Sequence, residues 1–68
     1  MNEIEGMIHQ YATEKGFRLI GNASKGDLRI YFRESPEASA RMRLEDAEHA
    51  MMRSADEFYR FLDRVFDK

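Results

Sequence analysis

Sixty-eight residues, no cysteine and a net charge of −2 set the bounds for this chain. That length fits one small domain over residues 1–68, which buries only roughly 60% of the surface its unfolded form exposes. Disulfide staples, thiolate metal sites and cysteine nucleophiles are excluded. The apolar runs fall far short of a membrane span, and the acidic start Met-Asn-Glu-Ile-Glu lacks a signal-peptide pattern, so a soluble cytoplasmic domain is expected.

Between Asn2 and Lys15, the residues Ile4, Met7, Ile8, Tyr11 and Ala12 recur at the spacing of an amphipathic helix. Asn2 is its expected cap, with Glu5 as return partner in a capping box. Gly16 is its left-handed stop. Phe17–Ala23 reads as a first strand, turning at Lys25-Gly26 into a second, Leu28–Arg33. In the expected register Leu19 faces Phe32, Gly21 faces Ile30 and Ala23 faces Leu28.

Residues 38–45 alternate apolar and charged, which predicts a third strand after a loop centred on Glu37, with Phe32 beside Met42 and Ile30 beside Leu44. A second reading competes. Ser35-Pro36-Glu37 also starts helices, and residues 38–53 contain no β-branched residue, so 36–52 is alternatively helical. In the strand reading, residues 45–53 are a connection. Ser54-Ala-Asp-Glu57 is then a capping box before a last helix that presents Ala55, Phe58, Phe61, Leu62, Val65 and Phe66. Asp56 and Arg60 form an i, i+4 pair on its wet side.

The expected fold is α+β: an α-β-β-β-α chain, with a three-stranded antiparallel meander and both helices packed on one face. The alternative is α-β-β-α-α. Period-two alternation puts Leu28, Ile30 and Phe32 on the apolar face with Ala40, Met42 and Leu44. Arg29, Tyr31, Arg33, Arg41 and Arg43 then lie on the other face. Arg18, Arg33 and Arg41 form one row there, Ile20, Tyr31 and Arg43 the next, and Asn22, Arg29 and Glu45 the last.

Charge is segregated along the chain. Residues 1–16 carry Glu3, Glu5 and Glu14 against Lys15, and residues 45–68 hold seven acids and four bases. Residues 17–44 hold Arg18, Lys25, Arg29, Arg33, Arg41 and Arg43 against Asp27, Glu34 and Glu37, a net of +3. Such segregation bears on partners. Like charges opposite one another destabilise a sheet, so an arginine row calls for an anionic answer. Arg18, Arg29, Tyr31, Arg33, Arg41 and Arg43 are therefore the candidate partner-binding residues, with an ordinary solvated face as the plain alternative.

Catalysis is not expected. Gly21-Asn-Ala-Ser-Lys-Gly26 has phosphate-loop spacing, but Asp27 and Leu28 stand where lysine and a hydroxyl belong, so it reads as a turn. Asp46, Glu48 and His49 lack a second histidine for a metal, and His9 falls on the polar side of the first helix. No cofactor is expected. The order of elements resembles double-stranded-RNA-binding domains and the small HicA-type toxins. Ser54-Ala55-Asp56-Glu57 replaces the former's lysine cluster, and Asp27 follows Gly26 where the latter carry histidine. The likeness is topological and transfers no site. The expected function is a non-enzymatic interaction module, a small inhibitor or regulator with an acidic protein partner. Nucleic-acid binding, or a subunit that dimerises through the last helix, are the alternatives, and the chain is a monomer or homodimer.

Overall fold

A computed structural model describes residues 3–19 and 28–67, leaving out the side chains of 35–38. The order is α1 (Glu3–Glu14), β1 (Arg18–Leu19), β2 (Leu28–Arg33), β3 (Ser35–Arg43), α2 (Leu44–Arg53) and α3 (Ala55–Phe66). The strands form one antiparallel sheet in the order β1-β2-β3, and the helices pack on it. The class is α+β, with the third strand present and one more helix than expected. Asn2, the rest of the first strand from Ile20 to Ala23, and the Lys25-Gly26 turn lie outside the described residues.

α1 buries Ile8 and Ala12 and leans Ile4, Met7 and Tyr11 on the core, the stripe read from the sequence. Its end is a Schellman turn. Gly16 sits at φ 85°, its N–H donates to the Thr13 carbonyl at 3.0 Å, and the Phe17 N–H donates to Ala12 at 2.8 Å. This reversal drops Phe17 into the core at 1% exposure.

The strand and helix readings of residues 36–53 are each half right. The alternation holds through Arg43; the helix then starts at Leu44, a residue the strand reading places in the sheet, and runs through the 45–53 stretch that it reads as a connection. Glu45 and Asp46 occupy the first turn of α2 and Arg53 the last, each matching the helix dipole. Leu44, Ala47 and Ala50 face inward, and the two alanines are fully buried. One residue joins α2 to α3. Ser54, extended at φ −179°, donates its N–H to the Ala50 carbonyl (3.2 Å), and its Oγ accepts from the Glu57 N–H (3.0 Å). It ends one helix and caps the next.

α3 supplies Phe58, Leu62 and Phe66, all at 2% exposure or less. Phe66 is the hub of the aromatic packing, with ring centroids 5.1 Å from Phe17, 5.2 Å from Tyr31 and 5.8 Å from Tyr11. The buried side of α3 packs against α2, the sheet and α1.

The sheet register departs from expectation. Arg18 pairs with Phe32 and Leu19 with Tyr31. Leu28 pairs with Arg43, Arg29 with Met42, Ile30 with Arg41 and Tyr31 with Ala40. Glu34, at φ 57°, makes the reversal, so the loop is not centred on Glu37, and the ladder is irregular between Tyr31 and Arg33. β2 is offset by an odd number of residues from both expected partners. An odd offset turns a strand over. β1 and β3 keep their expected sides while the central strand shows its opposite one.

Ser54→Ala removes the hydroxyl that serves α3 and is expected to cost about 1 kcal/mol. Urea unfolding with an unchanged m-value is the check.

Candidate functional site

The inversion of β2 decides what each sheet face is made of. Tyr31, Ala40 and Met42 lie beneath the helices at 2%, 1% and 5% exposure. Tyr31 also meets His9 edge-on, with its hydroxyl 3.2 Å from His9 Nδ1. His9 is therefore half-buried against the sheet and is not a surface residue.

Arg29 and Arg33 flank Tyr31 on the same strand and share its side. Arg29 Nη2 donates to Glu5 Oε2 at 3.0 Å, with both side chains about one-fifth exposed, and Nη1 donates to the Leu28 carbonyl. Arg33 lays its guanidinium 4.9 Å from the centroid of the Phe17 ring, its stem near Gly16. Glu5 and His9 are one helical turn apart, a rise of about 6 Å. Arg29 and Tyr31 are two strand residues apart, about 6.6 Å. The two spacings match, so α1 and β2 meet in a polar ladder.

The expected rows accordingly dissolve. Arg33 leaves the Arg18–Arg33–Arg41 row for the helical side, Tyr31 lies far from Arg43's partner Leu28, and Arg29 pairs with Met42, not with Glu45. Ile20 and Asn22, the β1 members of the other rows, and Lys25 lie outside the described residues. Arg29, Tyr31 and Arg33 are parts of the core or its margin.

Arg18, Arg41 and Arg43 remain, all exposed, on the side that no described helix covers. Between them the central strand presents Leu28, Ile30 and Phe32, the last 37% exposed. Each arginine stands opposite an apolar residue: Arg18 by Phe32, Arg41 by Ile30, Arg43 by Leu28. Arg18 is two strand spacings across the sheet from β3 and two to four residues along it from Arg41 and Arg43, roughly 12 and 16 Å away. At those separations their repulsion in salt is largely screened. The open face is an apolar column with basic borders. Sequence reasoning missed its centre, because Leu28, Ile30 and Phe32 looked like core.

The remaining candidates stay apart. Asp46, Glu48 and His49 lie along α2, where His49 Nε2 is 4.0 Å from Glu45, and no group of three metal-ligating side chains gathers among the described residues. Asp56 and Arg60 pair on α3 as expected, at 3.6 Å. No described helix is long and apolar enough to cross a membrane.

Burial pushes the Tyr31 hydroxyl up from 10.0 to about 12, against the opposing pull of Arg29. Tyr11 also rises to about 12, through burial first and then its bond to Asp63. Both values are raised in the folded chain. The stability these neutral hydroxyls supply is therefore complete below about pH 10 and is lost as pH climbs through about 12. Ultraviolet titration should show two tyrosines ionising together with alkaline unfolding. Two ordinary titrations in a folded chain would contradict this. For the ladder, a Glu5→Gln, Arg29→Met double-mutant cycle should give a coupling of about 1 kcal/mol in urea unfolding.

Comparison with known protein families, characterised proteins and solved structures returns no match, so a functional reading has to come from the open face itself.

Proposed function

We propose that this chain is a non-enzymatic interaction module that holds a protein partner against its open sheet face. The observation that carries the reading is the column Leu28, Ile30, Phe32, framed by Arg18, Arg41 and Arg43 on the face away from the helices. An apolar strip with a charged rim is the usual composition of an interface, where arginine and aromatic side chains are enriched.

The three basic borders select the partner. A complementary surface carries an apolar ridge flanked by carboxylates, which the arginines meet as paired, charge-assisted hydrogen bonds. A second copy is a poor occupant, because two identical faces brought together on a two-fold axis oppose arginine to arginine. A small cytoplasmic inhibitor or regulator, of the kind phages and mobile elements use to block a host protein, fits a chain of this size. Single-stranded nucleic acid is the second reading, favoured by Phe32 as a stacking platform beside Arg18. Against it, the centre of the face is aliphatic and the chain as a whole is acidic.

Affinity capture from the native host, quantified by mass spectrometry, tests the proposal. Arg41→Glu with Arg43→Glu should remove at least one specific protein from the captured set, and Phe32→Ser should remove the same one. Identical capture by all three chains would sink the reading. Retention on heparin that falls steeply with salt would move the conclusion to nucleic acid.

A further inference from the structure

In the helical layer, α1 and α3 leave a shallow cleft of about 180 Å³ between them, lined by Met7, Gln10, Tyr11, Glu14 and Tyr59. Two of its walls are aromatic: the Tyr11 and Tyr59 rings lie 6.2 Å apart at a tilt of 36°. Tyr59 also meets Phe58 edge-on, with ring centroids 5.1 Å apart, and stays 42% exposed at the mouth of the cleft. The surroundings are acidic. Tyr11 donates its hydroxyl to Asp63 Oδ1, Glu14 lines the cleft, and Asp67 adds to the negative field at Tyr11. One cation already answers this field, since Lys15 Nζ stands 5.6 Å from the centroid of the Tyr11 ring.

We infer that this cleft is a binding site for a guanidinium group, which lies flat on the Tyr59 ring and donates to the Glu14 carboxylate. The components supply what that ion needs. An aromatic face attracts a cation through its quadrupole, and guanidinium, planar and weakly hydrated, stacks there more readily than ammonium does. A carboxylate at the border accepts the N–H groups that project past the ring edge. The Met7 side chain offers an adaptable apolar wall for the methylene stem. Asp63, occupied by Tyr11, holds the first ring in place and leaves Glu14 as the accepting group. The site is independent of the open sheet face and stands whether or not that face binds a protein.

The probe is N-acetyl-arginine methylamide, titrated into the labelled chain and followed by NMR, with the neutral isostere N-acetyl-citrulline methylamide as control. The arginine probe should shift the Met7 methyl and Tyr59 ring signals saturably in the millimolar range, and citrulline should not. Tyr59→Ala, at an exposed position, should weaken binding about threefold to fivefold, as expected for one exposed cation–π contact. Tyr59→Phe should keep it, and Glu14→Gln should weaken it to a similar degree. Each chain's amide spectrum reports that it is folded. Absent or non-saturating shifts, equal response to citrulline, or unchanged binding by folded Tyr59→Ala would overturn the inference.

Discussion

A tyrosine buried at the centre of a three-stranded sheet constrains both of its neighbours. Side chains directly across the strands must share its face, so the side on which Tyr31 lies decides where Leu19 and Ala40 lie as well. Here the ring packs edge-on against Phe66, and its hydroxyl meets His9, so the polar tip does not go unanswered beneath the helices. With Tyr31 inside, Arg29 and Arg33 come inside with it. Glu5 answers one guanidinium and the Phe17 ring receives the other, which offsets their partial burial. The alternating partners Leu28, Ile30 and Phe32 are turned outward by the same step. The core ladder and the open face are two sides of one register.

The limits of what the sequence made legible follow the same physics. α1, α3, the Gly16 stop and the Ser54 cap were readable because each depends on residues within a few positions of one another. The sides of β1 and β3 were readable too, since Phe17 and Leu19, and Ala40 and Met42, contrast plainly with the arginines between them. On β2 that contrast misleads. Counting Arg29 and Arg33 as solvent-facing ignores their long apolar stems, and the carboxylate that holds Arg29 lies 24 residues away on another element. The start of α2, inside the stretch that the alternative reading makes helical, was hidden for another reason. Strand alternation and helix spacing meet with no loop between Arg43 and Leu44, so each pattern hides where the other begins.

Of the six arginine-face candidates, Arg18, Arg41 and Arg43 therefore keep their place, while Arg29, Tyr31 and Arg33 belong to the ladder. The face becomes less basic and more apolar than the sequence implied. An arginine row would have needed an anion to relieve it. An apolar column with spaced arginines is stable in water without one and has area to offer a partner. The helical layer carries the opposite character, with Glu14, Asp63 and Asp67 around the Tyr11 and Tyr59 rings. In so thin a molecule, 15 Å along its shortest axis, the two characters lie one layer apart.

Cross-strand nuclear Overhauser effects test the central claim most directly, because backbone proximity reports the register without reference to any partner. The account predicts contacts joining Ile30 to Arg41, Tyr31 to Ala40 and Arg18 to Phe32. Contacts joining Phe32 to Met42 and to Leu19 would contradict it, returning the apolar column to the core and the arginines of β2 to the open face.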